Sequence, residues 1–249
     1  HQGAPLEGGR AVGGDRDAAY PEKPDDVEEP PNPVSGRRTP WALQKIWSLV
    51  PGHASKPGQL WCGTIPGGLF LSTDNGDSWS LNRPLWDREE RHQWFGGGED
   101  YPGIHSVCID PRDAQRVTVG VSCGGVLTSR DGGDSWETRC QGMVAEYMPP
   151  EQAENPNVQD PHLLVQCPAE PDKMWAQHDN GIFITRDAGG QWDRCTDVDP
   201  STFGFAVAVH PEDGDTAWFV PAVKDEHRIP ADGRVVVTRT RGGGRTFTS

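Results

Sequence analysis

Residues 68–79 read Gly-Leu-Phe-Leu-Ser-Thr-Asp-Asn-Gly-Asp-Ser-Trp, and the same pattern returns along the chain. Residues 125–136 read Gly-Val-Leu-Thr-Ser-Arg-Asp-Gly-Gly-Asp-Ser-Trp, and residues 181–192 read Gly-Ile-Phe-Ile-Thr-Arg-Asp-Ala-Gly-Gly-Gln-Trp. A decayed copy, Thr-Arg-Gly-Gly-Gly-Arg-Thr-Phe, covers residues 240–247. The aromatic residues that end the four copies are spaced by 57, 56 and 55 residues. Self-similarity at a near-constant period indicates an array of one repeated structural unit.

The pattern Ser/Thr-x-Asp-x-Gly-x-x-Trp/Phe follows a short apolar strand and predicts a self-capping hairpin turn. The hydroxyl and the carboxylate can accept hydrogen bonds from backbone N–H groups of the turn, and glycine supplies a positive φ. The Trp then packs back onto the sheet. We expect these residues to be structural. In the three well-formed copies they are Ser72, Asp74, Gly76, Trp79, Ser129, Asp131, Gly133, Trp136, Thr185, Asp187, Gly189 and Trp192.

A second unit precedes each turn: an apolar strand that ends at a proline, followed by a polar turn and another strand. The four copies of the first strand cover residues 46–51, 104–111, 162–168 and 205–211. Four antiparallel strands in about 55 residues are typical of a propeller blade. The sequence therefore predicts an all-β propeller, with blades at about 41–87, 101–141, 160–196 and 202–249.

These turns resemble those of Asp-box (BNR-repeat) β-propellers, which include sialidases, xyloglucan-cleaving glycosidases, sortilin-type receptors and photosystem assembly propellers. The chain is most similar to bacterial WD40/YVTN/BNR-like repeat proteins of the sialidase/glycosyl hydrolase-like superfamily. The resemblance covers residues 41–249 and implies a ring of six to eight blades. Four blades therefore indicate either part of a larger ring or an open edge that must be covered. Residues 1–40, rich in Gly, Pro and acidic residues, predict a loop or a disordered lead-in.

The composition of the chain argues against two classes of partner. The formal net charge is −14 and the isoelectric point is about 4.9, so we expect no nucleic-acid partner. No apolar run approaches the length of a membrane helix, so we expect no membrane partner. The six cysteines include no Cys-x-x-Cys pair and predict reduced thiols in a cytoplasmic protein. A disulfide framework in an extracellular protein is the alternative, because the chain begins at His1 and we expect its natural N-terminus to lie further upstream.

Two histidines occupy equivalent places in neighbouring blades. His105 and His162 each precede a strand-ending proline by six residues, at the start of the innermost strand. His178 ends the antiparallel second strand of its blade and should return to the same face. Imidazoles that converge at the channel mouth can bind a divalent metal or serve acid–base chemistry. We therefore name all three as candidate ligand-binding and metal-binding residues, with hydrogen bonding to neighbouring loops as the alternative.

The long loop at residues 87–101 leads directly into His105 and should lie over the same face. It carries Arg91, Glu99 and Asp100 as candidate ligand-binding residues, with a flexible surface loop that binds nothing as the alternative. Three consecutive glycines could bring backbone close to a ligand, but no phosphate-loop lysine follows them. The aromatics at residues 203–205 open the fourth inner strand, where we expect core packing, with lining of the channel mouth as the alternative.

No complete catalytic set is visible. The three tyrosines lie on no evident inner strand, and Arg228 belongs to an Arg-Ile-Pro triplet that follows the third turn instead of preceding the first, so sialidase activity is not expected. We favour a recognition scaffold that binds a carbohydrate or protein ligand at the channel mouth. The alternatives are a glycoside hydrolase-like enzyme, or a metal-dependent hydrolase with Glu99, Asp100 or Asp179 as its base. The one cofactor that these residues suggest is a divalent metal.

Overall fold

Four antiparallel sheets follow one another in the computed structural model, which describes residues 19–249. The first contains β1 (Lys45–Pro51), β2 (Leu60–Ile65), β3 (Leu69–Ser72) and β4 (Ser80–Leu81). The second contains β5 (Ile104–Ile109), β6 (Val117–Val121), β7 (Gly125–Ser129) and β8 (Glu137–Thr138). The third contains β9 (Pro161–Gln166), β10 (Met174–His178), β11 (Gly181–Thr185) and β12 (Trp192–Cys195). The fourth contains β13 (Gly204–Val209), β14 (Ala217–Lys224), β16 (Thr238–Thr240) and β17 (Phe247–Thr248), while β15 (His227–Pro230) pairs with β14 beside it.

The helical segments are short. They are α1 (Arg83–Trp86) and 3-10 turns at Glu89–Gln93, Pro156–Val158 and Ala231–Gly233. Helix α1 begins where the side chain of Asn82 accepts a hydrogen bond from the backbone N–H of Leu85. Within residues 19–249, no helix has the length and apolar character needed to cross a membrane.

The sheets pack side by side through their first strands. Strand β1 contacts β5, β5 contacts β9, and β9 contacts β13. Apolar clusters fill the spaces between successive sheets, with Trp61, Phe183 and Trp175 among their fully buried members. These are the blades of a β-propeller, as the repeat predicts, and the four described sheets do not close into a ring. The first strands lie innermost, so their starts share one face of the molecule.

The repeated turns have the hydrogen bonds that the pattern predicts. In the second copy, Ser129 Oγ accepts from Gly133 N at 2.7 Å, and Asp131 Oδ1 accepts from Ser135 N at 2.8 Å. The middle glycines have φ between +88° and +103°. The aromatic residue does more than cover its own hairpin, because Trp192 Nε1 donates to the carbonyl of Arg139 in the preceding sheet at 2.8 Å. Trp136 Nε1 likewise donates to Asn82 Oδ1, just after the first sheet, at 3.0 Å, so the Trp residues of the second and third copies tie their sheets to the one before.

The described part of the lead-in covers the outward face of the first sheet. Residues 19–44 contain no helix or strand, and residues 1–18 lie outside the described part. Tyr20 is buried against Phe70 and Trp86, and its hydroxyl accepts from Gly68 N at 2.9 Å. An ordered segment thus shields the sheet face that the four-blade arrangement would leave open.

All six cysteines are unpaired, as the thiol interpretation expects. Five are buried and Cys108 is half-buried. Burial raises the pKa of the Cys62 thiol to about 11 and that of Cys140 to about 12. These thiols pack as small apolar residues.

Candidate functional site

A cavity of about 330 Å³ opens on the face where the inner strands begin. Every inner strand contributes a residue near its start, and the loop between the first two sheets forms one wall. The lining residues are Trp47, Phe95, Gly96, Gly97, Gly98, Glu99, His105, Ser122, Cys123, Tyr147, Asp160, Pro161, His162, Asp179, Phe205, Asp225 and Arg228. The predicted channel mouth is therefore a real concavity, and its lining mixes aromatic rings with charged groups, as ligand sites do.

Asp160, His162 and Asp179 form the polar centre of the cavity. His162 Nε2 lies 3.6 Å from Asp160 Oδ2 and 3.9 Å from Asp179 Oδ1. One donor atom from each of the three residues falls within 4.8 Å of the others. The strand register causes this meeting. Strand β10 runs antiparallel to β9 and pairs His178 with Pro161, so the residues just beyond this pair face each other. Asp179 N donates to Asp160 O at 3.0 Å and locks that arrangement.

The three side chains have shifted ionisation. Burial acts to raise the pKa of Asp160, but contact with His162 and its charge outweigh burial and lower the pKa to about 2. Burial and the neighbouring Asp160 carboxylate raise the pKa of Asp179 to about 6. Burial acts to lower the pKa of His162, yet Asp160 shifts it above its ordinary value. The cluster therefore holds concentrated negative charge that His162 only partly balances.

The three predicted histidines do not form one metal cluster. His105 borders the cavity, with Nδ1 2.7 Å from Ser106 Oγ, and burial lowers its pKa to about 4. His178 is fully buried beneath the cavity. The backbone nitrogen of Asp160 lies 3.0 Å from its Nε2 atom, and the backbone nitrogen of Asn180 lies 3.0 Å from its Nδ1 atom. Because both nitrogens face N–H groups, His178 is not available as a metal ligand. Only His162 of the predicted trio belongs to the donor cluster, and its companions there are aspartates.

The glycine loop closes over the cluster. A Cβ atom on Gly97 would lie 2.8 Å from Asp160 Oδ2, and one on Gly98 would lie 3.0 Å from an Arg228 guanidinium nitrogen. The glycines therefore permit close approach to the carboxylate and to the arginine. Glu99 lines the cavity and pairs with Lys45 at 2.9 Å. The predicted site residue Asp100 points elsewhere and pairs with Arg37 at 2.7 Å.

Arg91 is a structural residue, which corrects its assignment as a ligand-binding residue. Its side chain is 4% exposed and pairs with the buried Glu29 of the lead-in at 2.8 Å. The guanidinium also stacks over the Trp86 ring at 4.0 Å from its centroid. The loop turns inward here before it reaches the cavity, so Arg91 anchors the lead-in and does not line the mouth.

Sequence reasoning missed several lining residues. Asp160 immediately precedes the third inner strand, and its pairing with the turn after β10 follows from antiparallel register, a signal that could have found it. Phe205, expected in the core, is 39% exposed and stacks on His162 with ring centroids 4.6 Å apart. Arg228, which the sequence placed in an Arg-Ile-Pro triplet without a site role, lines the cavity from β15, pairs with Asp225 and lies over the Phe205 ring. Tyr147, placed on no strand, lines the wall.

Known proteins share the fold. No protein-family profile matches the chain. A segment of 83 residues is 34% identical to the oligoxyloglucan-reducing end-specific xyloglucanase of Emericella nidulans and covers 33% of this chain and 9% of that protein. The GH74 xyloglucanase from Xanthomonas campestris matches over 86% of this chain and 30% of its own, with TM-score 0.59 and 17% identity. An ancestral GH74 enzyme matches over 83% of this chain and 25% of its own, with TM-score 0.58 and 15% identity. The chain thus spans less than a third of each of these proteins, and the structural matches agree with a β-propeller.

Proposed function

We propose that this chain is part of an Asp-box propeller of the sialidase/glycosyl hydrolase-like superfamily, and that its mouth cavity binds carbohydrate. The observation that carries the proposal is the pairing of exposed aromatic faces with carboxylates in one cavity. Trp47 is 36% exposed and Phe205 is 39% exposed, and both line the concavity.

The lining of the cavity favours a ligand that carries hydrogen-bond donors. Ionised carboxylates only accept hydrogen bonds, and Glu99, Asp160 and Asp225 contribute such groups to the wall. A sugar supplies several hydroxyl donors on its edges and an apolar face that can pack on an aromatic ring. A cavity of about 330 Å³ lies at the small end of ligand pockets and suits a short saccharide.

The repeated turn supports the Asp-box assignment. The hydroxyl-to-glycine hydrogen bond recurs at 2.9 Å in the first copy, 2.7 Å in the second and 2.9 Å in the third. The fourth copy keeps it at 3.1 Å from Gly244 N to Thr240 Oγ1, although glycine replaces the aspartate. A turn that keeps its geometry through four copies favours an origin by repetition of one blade.

Binding can be tested by titrating the purified chain with a panel of mono- and oligosaccharides, including xyloglucan fragments, in a calorimeter. Trp47→Ala should weaken binding of the best saccharide about tenfold or more, since it removes the aromatic face. Leu49→Ala is the matched control, because Leu49 is an exposed apolar residue on the same strand outside the cavity. Absence of binding across the panel, or equal loss in both folded variants, would refute the proposal.

Glycoside hydrolysis is the second candidate, favoured by the segment 34% identical to a xyloglucanase. Asp160 and Asp179 both contact one side of the same imidazole, within 4.8 Å, and so cannot flank a glycosidic bond by themselves. A second carboxyl group would have to come from Glu99 or Asp225 across the cavity. Release of reducing ends from a xyloglucan oligosaccharide by the wild type, lost in Glu99→Gln or Asp225→Asn, would support hydrolysis. Binding without release would leave recognition as the function.

A further inference from the structure

We propose that Asp160, His162 and Asp179 bind one divalent first-row transition ion, of the Zn²⁺ or Mn²⁺ type, at the base of the mouth cavity. This inference concerns the metal alone and does not depend on carbohydrate binding. It differs from the three-histidine site that the sequence predicts, since two of its three ligands are carboxylates.

The spacing of the donor atoms suits a shared cation better than a shared proton. The His162 Nε2 separations of 3.6 Å and 3.9 Å exceed the length of an ordinary hydrogen bond. One proton on Nε2 could also be directed at only one of the two carboxylates. Bonds of about 2.0–2.2 Å to a zinc-like ion place tetrahedral donors about 3.4 Å apart. The two separations from His162 Nε2 therefore need only about 0.2–0.5 Å of contraction, and the two carboxylate oxygens, which lie within 4.8 Å of each other, also have to draw together around the ion.

His162 and Asp160 are each held in orientation by a hydrogen bond at the side-chain atom that does not face the cluster. His162 Nδ1 lies 2.7 Å from the carbonyl of Gly204, and a carbonyl can only accept, so Nδ1 carries the proton and Nε2 presents its lone pair. Metal-binding histidines commonly have this arrangement. Asp160 Oδ1 accepts from Cys123 N at 3.0 Å and from Ser122 Oγ at 3.2 Å, which directs Oδ2 at the cluster.

An independent observation points to a ligand in the same cavity. His105 is 6% exposed and lines the cavity, and its Nε2 atom makes no hydrogen bond of ordinary geometry among residues 19–249, although the ring also interacts with the backbone of Pro161. A buried polar atom without a partner is costly, and a metal-bound water or ligand group within the cavity would satisfy it. Three protein ligands also leave a coordination position open for such a group.

The donor set indicates the class of metal. One imidazole nitrogen with two carboxylate oxygens suits zinc and its neighbours, whereas Mg²⁺ and Ca²⁺ prefer oxygen alone. We therefore expect the order of affinity to place Zn²⁺ and Mn²⁺ above Mg²⁺ and Ca²⁺.

The test uses the full 249-residue chain after treatment with EDTA and gel filtration. Calorimetric titration with ZnCl₂ or MnCl₂ should show one equivalent bound, with MgCl₂ and CaCl₂ weaker. Asp179→Asn should reduce the affinity about tenfold or more, as should His162→Ala. Asp179 contacts the cluster through its side chain but holds no backbone N–H group within the described residues, so the asparagine variant should fold. Circular dichroism checks that it does.

Two matched variants decide the location. His210→Ala removes a histidine outside the cavity and should leave the affinity unchanged. Cys123→Ser tests whether the thiol that lines the cavity binds the ion instead: the three ligands remain, so one equivalent should still bind, although the affinity can change because the Cys123 side chain interacts with Asp160. The Co²⁺-loaded protein should show visible absorption that Asp179→Asn alters. No stoichiometric binding by the wild type, unchanged affinity in folded Asp179→Asn, or loss in Cys123→Ser alone would overturn the proposal.

Discussion

Two carboxylates in different regions of this molecule share a pKa of about 2 and reach it by different means. In the repeated turn, Asp131 is held by Ser135 and Ser129, and its contacts stay within four residues of it in the chain. At the mouth, Asp160 is buried, and its contacts are 37 and 38 residues away in the preceding sheet and two residues away at His162. Both carboxylate oxygens of Asp131 accept hydrogen bonds within their own hairpin, whereas Asp160 has one oxygen that faces the cavity.

This difference separates stability from binding. A carboxylate whose oxygens are occupied by local donors stabilises a turn and offers nothing to a ligand. A carboxylate aimed at another carboxylate and an imidazole lowers the stability of the fold unless a cation or proton joins them. Changes at the turns should therefore lower the free energy of unfolding and spare metal binding, whereas changes at the mouth should weaken metal binding without lowering the free energy of unfolding.

The largest expected loss of stability comes from a turn residue, Trp192. Its side chain is 1% exposed and bridges two sheets through its indole N–H. Trp192→Ala should lower the free energy of unfolding by about 3–5 kcal/mol, through lost burial and the cavity left behind. Urea unfolding followed by circular dichroism measures this. Trp79→Ala, at the half-buried copy, should cost clearly less, and equal costs would contradict the bridging role.

The next largest loss of stability is expected at Arg91, and a substitution there tests whether the loop between the first two sheets stabilises the fold or binds ligand at the mouth. Arg91→Met leaves Glu29 buried without its cation, and loss of one partner of a buried pair costs about 3–5 kcal/mol. We expect about 2–3 kcal/mol here, because Trp41 Nε1 still donates a hydrogen bond to Glu29 Oε1 at 2.7 Å. Urea unfolding gives the value, and zinc titration of the folded variant should match the wild type. A variant that is as stable as the wild type but binds zinc less well would instead mean that Arg91 is a binding residue.

These two residues also show how far the sequence could lead. The period of the turns predicted the strands and the burial of Trp192, because each contact there lies within one blade or at a fixed offset from the next. Counting from the strand-ending prolines also placed His105 and His162 at the mouth. The position of Arg91 could not be predicted, since its partner Glu29 lies 62 residues away in a segment without periodicity. Asp160 was missed because its role arises from pairing between β9 and β10 rather than from a repeated motif.

A smaller loss should follow removal of one turn hydroxyl. Ser129 is 1% exposed, and Ser129→Ala leaves the N–H of Gly133 without its acceptor. An unsatisfied buried N–H costs about 1–3 kcal/mol, and we expect the lower half of this range because the turn lies near solvent. Ser135→Ala, at an exposed hydroxyl of the same turn, is the control and should cost less in the same urea titration. A larger cost for the exposed position would contradict the account of the turn.

The smallest effect has the opposite sign and lies at the mouth. The pKa of Asp179 is raised to about 6 by burial and by Asp160, so its ionised form disfavours the fold. The folded state then binds more protons at Asp179 than the unfolded state between pH 4 and pH 6, so the contribution of Asp179 to the stability of the metal-free wild type falls as pH rises through that window. Asparagine mimics the protonated form. Asp179→Asn should therefore raise the free energy of unfolding at pH 7 by about 1 kcal/mol, a value reduced for the partial exposure of the side chain, and should give no gain below pH 4. Urea unfolding of EDTA-treated proteins at pH 4 and pH 7 measures both effects.

A variant that is more stable but binds zinc less well would show that the charge repulsion at this site is retained for a ligand, as functional sites often require. A variant destabilised at pH 7 would instead mean that Asp179 serves the fold, as the turn aspartates do.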